Sequence, residues 1–230
     1  DYYYVTPGHQ VPTGVAMSSA RRRQLLEHAA RHDAVIIEDD YDSESNFTLN
    51  PLPALKASDR SGRVVYVSSL SKALSPGLRL GFMVADPDLI DEARALRRLV
   101  YRHPPTNIQY QMAHFLAQGH YETHLRRYHY DSAQRWERLH AALQRYLPSC
   151  RALAGSEHAN AFWLQTPAQI NTQQLTWRAA HAGVLIEPGA RHFLSAAPPD
   201  NYFRMGFHAI NPDAIAQGVE VLRGQLEQMG

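Results

Sequence analysis

The sequence predicts an α/β domain with a mostly parallel sheet, followed by a smaller α+β domain. Short, wholly apolar runs at 35–37 and 64–67 are typical of strands that are buried on both faces of a parallel sheet. These runs alternate with stretches of helical periodicity up to about residue 105, and such alternation favours a layered α/β domain. We therefore predict domains at 1–105 and 106–230.

The elements of the first domain follow from local patterns. Residues 2–5 are aromatic and β-branched, which favours a strand, and the Thr-Pro-Gly that follows ends it. Ser18 or Ser19 is a suitable helix cap, and this helix is predicted to end at about Arg31. The remaining elements are predicted as strands at 35–37, 64–67 and 80–84, a loop at 43–62 and a helix at 86–102.

The second domain is predicted to open on a long helix over 107–147 that bridges the two halves. Short apolar runs beyond this helix predict strands, and amphipathic stretches predict two further helices. The strands are predicted at 162–164, 184–186 and 202–207, and the helices at 172–182 and 212–228. This mixture of short strands and helices is typical of an α+β domain.

Composition excludes several classes of protein. The formal net charge is +1, so no global field attracts nucleic acid or an anionic membrane. The sequence has no run of 18 apolar residues, so no transmembrane helix is predicted. Cys150 is the only cysteine, which excludes an internal disulfide framework and predicts a reducing, cytoplasmic compartment. Residues 1–5 lack the basic region of a signal peptide and already follow a strand pattern, so we expect the chain to begin inside a larger fold.

Two basic patterns are interpreted as solvated helix faces. His28 and His32 are spaced i, i+4, as are His120 and His124, but neither pair has the glutamate of His-Glu-x-x-His or a nearby cysteine cluster. We therefore predict no metal site. The three arginines at 21–23 are interpreted as a solvated helix start rather than as a nucleic-acid patch.

Lys72 is one of only two lysines in the chain, against 21 arginines. Arginine serves as well as lysine on a solvated surface, but its guanidinium does not deprotonate in proteins and cannot act as an amine nucleophile. Lys72 lies in a serine-rich loop bounded by Pro-Gly, which favours the role of a Schiff-base lysine. Lys56 is interpreted as an ordinary loop residue.

Several polar groups are predicted to meet at one edge of the sheet. In open α/β sheets, ligands bind outside the carboxyl ends of the strands. An amine, a carboxylate, a phenol, hydroxyls and a guanidinium together suit pyridoxal phosphate, which needs a partner for its aldehyde, ring nitrogen, phenolate oxygen and phosphate. Taken alone, each residue also has a structural interpretation, as a turn cap, a packing tyrosine or a surface arginine. The groups are Asp39 and Tyr41 after the second strand, Ser69, Ser71 and Lys72 after the third, and Arg79 before the fourth.

Three segments, at 4–14, 37–44 and 69–81, resemble the fold-type-I aminotransferases. They are most similar to the aminotransferase-like domain of MocR-type (GntR superfamily) transcriptional regulators. The string Glu-Asp-Asp-Tyr-Asp-Ser-Glu at 38–44 is the sharpest mark of that group. The resemblance covers essentially all 230 residues, but only the later part of that domain. It implies that the segments supplying the rest of the phosphate cup and the winged helix are absent from this chain.

The resemblance also implies a role for each matching residue. Lys72 would form the Schiff base, Asp39 would pair with the ring nitrogen, and Tyr41 would bind the phenolate oxygen. Ser69, Ser71 and Arg79 would bind phosphate, and His9 and Gln10 would lie near the ring. Arg204 corresponds to the arginine that binds the substrate carboxylate in amino-acid aminotransferases, and Arg191 is a second candidate for that task.

Two functions remain open on the sequence alone. The first is an effector-sensing domain of a transcriptional regulator, which binds an amino acid or another amino compound and shifts a conformational equilibrium. The second is an authentic class I/II aminotransferase that acts on an amino acid. The acidic string favours the first function, and Arg204 in its setting favours the second. The resemblance implies a homodimer for the full-length protein, and we expect no DNA binding by this fragment and no membrane partner.

Overall fold

The computed structural model describes residues 1–42, 44, 47, 52–153 and 160–230. By its contacts the chain divides into two units. Unit 1 comprises Asp1–Gln10 and Ala16–His129, and unit 2 comprises Val11–Val15 and Tyr130–Gly230. The boundary between a cofactor-binding and a small domain near residue 105 stays a prediction.

Unit 1 contains a four-stranded sheet in the order β1-β2-β3-β4. The strands are β1 Tyr2–Val5, β2 Val35–Asp40, β3 Val64–Ser69 and β4 Gly81–Val84. The first three are parallel, and β4 runs antiparallel to β3. The predicted α/β class with a mostly parallel sheet is therefore confirmed. Because β1, β2 and β3 are parallel, the segments that follow them leave the same edge of the sheet.

The two faces of this sheet differ in what covers them. Side chains alternate along each strand, so Ile36 and Val64 point to one face, where they pack with Ala29 of helix α1 (Ser19–Arg31) in a buried core. Ser18 caps α1 by accepting a hydrogen bond from the backbone of the first turn, as its sequence predicts. Tyr4, on the opposite face, is 65% exposed.

The remaining helices of the first half are α2 Leu55–Ser58, α3 Pro87–Tyr101, α4 Thr106–Ala117 and α5 His120–Tyr146. The single helix predicted over 107–147 is wrong, because α4 ends before Gly119, whose φ of +70° is a left-handed stop signal. The predicted loop at 43–62 contains α2, which the sequence analysis missed. Within that loop, residues 43, 45, 46 and 48–51 lie outside the described part of the chain.

Unit 2 contains an antiparallel sheet in the order β5-β6-β8-β7, with α6 and α7 beside it. Its elements are β5 Arg151–Ala152, β6 Ala161–Gln165, α6 Thr172–His181, β7 Glu187–Pro188, β8 Tyr202–Gly206 and α7 Ile215–Glu227. The strand predicted at 184–186 is wrong, because hydrogen bonding to β8 begins only at Glu187. Leu185 is 84% exposed, so its apolar side chain does not indicate burial here. None of the helices in the described ranges is both long and apolar enough to span a membrane.

Arg22 corrects the interpretation of residues 21–23 as wholly solvated. Its side chain is buried, and its guanidinium donates to the backbone carbonyls of Met17 at 2.9 Å, Pro53 at 2.7 Å and Pro7 at 2.8 Å. Burial lowers the pKa of this guanidinium from its ordinary value. Arg22 therefore ties the loop after β1 to α1 and to the segment before α2.

Cys150 gives a first testable prediction. Burial raises the pKa of its thiol from 9.0 to about 11, so the folded chain holds far less of the reactive thiolate at pH 8. Alkylation by iodoacetamide is expected to be about a hundredfold slower in the native chain than in guanidinium chloride. The mass shift of the single cysteine measures both rates, and equal rates would contradict the prediction.

Because the folded state holds the proton more tightly, this group's contribution to stability is present below pH 9 and is lost as the pH rises toward 11.

Candidate functional site

Three segments of unit 1 leave the carboxyl edge of the sheet and carry the predicted site residues. They are the loop after β1, the acidic string that begins in the last residues of β2, and the loop at 70–80 between β3 and β4. The last loop is closed at its base, since the backbone N–H of Leu70 donates to the carbonyl of Leu80 at 3.0 Å. Gly81 follows directly, and a Cβ there would lie 2.7 Å from the Ser68 carbonyl oxygen, so glycine permits the close approach of β4 to β3.

Lys72 lies among residues of the acidic string. Its Nζ is 2.5 Å from Oδ1 of Asp42 and 4.8 Å from the centroid of the Tyr41 ring. The Asp42 side chain is 2% exposed, whereas that of Lys72 is 34% exposed. The structure thus brings together Lys72 and Tyr41, which the sequence analysis selected, with Asp42, which it did not select.

His9 belongs to the same cluster as Lys72, Tyr41 and Asp42. Its Nδ1 is 3.5 Å from Oδ2 of Asp42, and its backbone carbonyl accepts a hydrogen bond of 3.4 Å from the Tyr41 hydroxyl. His9 is buried, so its ring and the Asp42 carboxylate share a site of low solvent access. Gln10 is exposed, and its side-chain carbonyl accepts from the Thr6 hydroxyl at 2.9 Å. The structure therefore gives His9 a contact with the cluster and gives Gln10 a local partner in its own loop.

Asp39 and Asp40 lie on opposite faces of the sheet. Asp39 accepts a hydrogen bond from the Tyr4 hydroxyl on the neighbouring strand, which raises the pKa of Tyr4 to about 12. Asp40 accepts from the Tyr66 hydroxyl at 2.8 Å, and burial raises the pKa of its carboxyl group. Asp39 therefore shares the open face with Tyr4, whereas Asp40 is bound into the covered side.

Glu38, the residue before Asp39, binds the beginning of α2. It is buried, and its two carboxylate oxygens accept from the backbone N–H groups of Leu55 at 2.7 Å and Lys56 at 2.9 Å. These are the first two residues of α2, whose N–H groups have no partner within the helix. Burial raises the pKa of the Glu38 carboxyl group. The first acid of the string thus holds α2, and the two acids after it end the strand.

The side chains that the sequence predicts to bind phosphate lie in or next to the loop at 70–80. The hydroxyl oxygen of Ser69 accepts from the backbone N–H of Ser71 at 3.2 Å, and Ser71 is buried. Arg79 is exposed and has a left-handed φ of +48° directly after a 3₁₀ turn at Pro76–Leu78. A left-handed backbone is uncommon for a residue with a side chain. His124 supports the loop from α5, with its Nε2 2.7 Å from the Ala73 carbonyl oxygen.

The two arginines predicted to bind a carboxylate lie in unit 2 and share one glutamate. Nη1 of Arg204, on β8, is 3.4 Å from Oε2 of Glu187, its cross-strand partner on β7. Nη1 of Arg191 is 3.7 Å from Oε1 of Glu187, and Nε2 of His192 is 3.4 Å from the same oxygen. Two guanidinium groups and one carboxylate leave a net positive charge, which suits an anionic ligand.

Three residues that contact the predicted site residues were not themselves selected from the sequence. Asp42 stands inside the acidic string that was recognised, and its proximity to Lys72 joins two segments 30 residues apart along the chain. Tyr4 is signalled by strand alternation, because it lies on the same sheet face as Asp39. Glu187 has no comparable signal, because its pairing with Arg204 depends on the register of β7 with β8.

The chemistry of these groups fits pyridoxal phosphate. Lys72 is an amine at the carboxyl edge of the sheet, Asp39 is a carboxylate on the open face, and Tyr41 is a phenol beside the amine. The hydroxyls of Ser69 and Ser71 and the guanidinium of Arg79 belong to the same strand end and closed loop.

Comparison with known proteins decides the family. Residues 5–222 match the family "Aminotransferase class I and II". The chain belongs to this family. This aminotransferase-family chain is 39% identical over 216 residues to the HTH-type transcriptional regulator TauR of Rhodobacter capsulatus, covering 93% of the chain and 44% of that protein. It is 34% identical over 221 residues to the probable rhizopine catabolism regulatory protein MocR of Rhizobium meliloti, covering 96% of the chain and 44% of that protein.

A solved aminotransferase has the same fold. The crystal structure of Pyrococcus horikoshii kynurenine aminotransferase, in complex with PMP, superposes with a TM-score of 0.88 at 28% identity. The match covers 99% of the chain and 56% of that structure. The aminotransferase-family chain thus spans about half the length of these relatives. The predicted resemblance to MocR-type regulators and to fold-type-I aminotransferases is confirmed.

Proposed function

We propose that this chain is the pyridoxal-phosphate-binding, effector-sensing domain of a MocR-type transcriptional regulator. One observation carries the proposal: the Lys72 amine lies beside the Tyr41 ring, at the sheet edge where the parallel strand β2 ends with Asp39 on its open face. The identity to TauR and MocR favours a regulator over other members of the family. In this proposal the full-length protein carries a winged-helix DNA-binding domain and acts as a homodimer.

Each site residue has a defined task in the proposal. When bound, pyridoxal phosphate supplies an aldehyde and a protonated ring that withdraws electrons. Lys72 would provide the amine for the aldehyde, and Asp39 would hold the proton on the ring nitrogen. Tyr41 would donate to the phenolate oxygen. Ser69, Ser71 and Arg79 would hold the phosphate, and His9 and Gln10 would line the site. No metal ion takes part.

The effector is proposed to be an amino compound that also carries an anionic group. Arg204 is half-buried on β8, and Arg191 lies in the turn that follows β7. Glu187 offsets only one of the two positive charges. A carboxylate bound by Arg204 orients the rest of an amino acid, and such orientation is worth several kcal/mol when chemistry follows.

A second candidate function is an authentic aminotransferase. It is favoured by Arg204, whose setting on a strand suits a substrate carboxylate, and by the fold shared with kynurenine aminotransferase. Both functions use the same groups to bind the amino compound. They differ in whether the bound compound is turned over.

Turnover and DNA binding by the full-length gene product distinguish the two functions. For a sensor, we expect specific DNA binding that responds to an amino acid, and transamination far slower than the range of about 1 to 1,000 per second that is usual for enzymes. Arg204→Ala is expected to abolish the response to an amino acid and to leave covalent attachment at Lys72 unchanged. Arg138→Ala, which removes an exposed arginine paired with Asp213, is the matched control. Transamination at ordinary rates without DNA binding would overturn the sensor proposal.

A further inference from the structure

The contact between Lys72 and Asp42 has a chemical consequence for the amine. Nζ of Lys72 is 2.5 Å from Oδ1 of Asp42, and the carboxylate is almost fully removed from solvent. A nearby opposite charge favours the charged form of a titratable group, and burial of the carboxylate reduces screening by water on its side of the pair. An ammonium ion has no lone pair and is not a nucleophile. The contact therefore opposes the reaction that the proposed function requires of Lys72.

The groups around this pair are an aromatic ring, an imidazole and a second carboxyl group. The Tyr41 ring has the Lys72 ammonium 4.8 Å from its centroid, a distance at which the electron-rich ring face attracts a cation. His9 stands at 3.5 Å from the other oxygen of Asp42, so the carboxylate keeps a second basic partner. Asp40, the other acid that interacts with His9, accepts its hydrogen bond from the Tyr66 hydroxyl.

We propose that Asp42 is a positioning residue that holds Lys72 as an ammonium ion and thereby sets the pH at which its amine becomes reactive. For the amine to react, the ammonium must release a proton to a base in solution and leave Asp42. His9 then remains as the partner of the buried carboxylate. The significance of this control for cofactor attachment rests on the proposed function, but the protonation of Lys72 itself is measurable without any cofactor.

Competitive acetylation tests the inference on the 230-residue chain. Acetic anhydride reacts only with neutral amines: the nitrogen bonds to the acetyl carbon, acetate leaves and the proton passes to the buffer. The chain has two lysines, so peptide mass spectrometry reads Lys72 and Lys56 separately in one sample. At pH 8 we expect Asp42→Asn to raise the rate at Lys72, relative to Lys56, by about tenfold or more.

Two comparisons separate this effect from damage to the fold. Asp40→Asn removes a neighbouring carboxylate that is bonded to Tyr66, and it is expected to change the Lys72 rate by less than about twofold. Partial unfolding would raise the rates at both lysines, so a selective rise at Lys72 supports the inference. An unchanged ratio of Lys72 to Lys56 in Asp42→Asn would overturn it.

If Asp42→Asn does not fold, the unaltered chain still decides the question. The Lys72 side chain is more exposed than that of Lys56, at 34% against 23%, so access alone would not make it slow. At pH 8 we expect Lys72 to react at least about tenfold more slowly in the native chain than in the urea-unfolded chain. Equal rates would refute the role of Asp42. Since no pyridoxal phosphate is present, failure of the cofactor proposal would leave this result untouched.

Discussion

Lys72→Arg is expected to abolish covalent labelling of the chain by pyridoxal phosphate and borohydride. The guanidinium keeps a positive charge beside Asp42, so the contact that anchors the side chain is retained. It does not deprotonate and therefore provides no amine for the aldehyde. The measurement is peptide mass spectrometry after reduction, which is expected to place the pyridoxyl group on Lys72 in the unaltered chain and nowhere in the variant.

Lys56→Arg is the matched control, and it is expected to label like the unaltered chain. Lys56 lies on α2 with its Nζ 3.4 Å from Oδ2 of Asp59, far along the chain from the loop at 70–80. Labelling mainly at Lys56, or equally at both lysines, would contradict the assignment of Lys72. Absence of any label on the unaltered chain would instead contradict cofactor binding by these 230 residues.

The sheet of unit 1 was predictable because its strands are short apolar runs with sharp ends. Such runs are typical of strands in a layered α/β domain, so the local sequence indicates β2 and β3, although the structure buries only one face of this sheet fully. The helix pattern after 105 was less informative, because amphipathic periodicity continues across the break between α4 and α5. Gly119 is the local signal for that break, and its left-handed φ makes glycine the favoured residue there.

The strand at 184–186 was mispredicted for a different reason. Apolar side chains favour a strand only where a partner strand offers hydrogen bonds, and β8 pairs with the chain from Glu187 onward. Which residues find a partner strand is decided by the tertiary fold. An apolar run of three residues therefore does not by itself set the register.

The candidate site was predictable in its parts but not in its contacts. Lys72 is conspicuous by the rarity of lysine, and Asp39 by its position at the end of a buried strand. That Asp39 and Asp40 lie on opposite faces follows from strand alternation, but which face is open depends on where α1 packs. The pairing of Lys72 with Asp42 depends on two loops that meet only in the folded chain.

The stabilising contacts of Arg22 were also not predictable from the sequence. A sequence of three consecutive arginines at a helix start indicates charge, and the helical period shows only that the three point in different directions. The acceptors of Arg22 are carbonyls of Pro7, Met17 and Pro53, which belong to irregular segments. Irregular segments leave backbone groups that need partners, and a buried arginine supplies several donors at once.

Arg22→Met is expected to lower the free energy of unfolding by about 3 kcal/mol or more, because three carbonyls lose a charged donor and each unpaired group costs about 1–3 kcal/mol when buried. Methionine keeps most of the apolar stem, so lost packing is a minor part of the effect. Urea unfolding followed by circular dichroism measures the change.

Arg21→Met and Arg23→Met are matched controls at exposed positions, and each is expected to stay within about 0.5 kcal/mol of the unaltered chain. Equal losses for all three variants would mean that charge at the helix start, rather than the three carbonyl contacts, explains the role of Arg22. The loop after β1 contains both Pro7 and His9, so a destabilised Arg22→Met chain is also expected to bring His9 and Asp42 apart before the sheet itself unfolds.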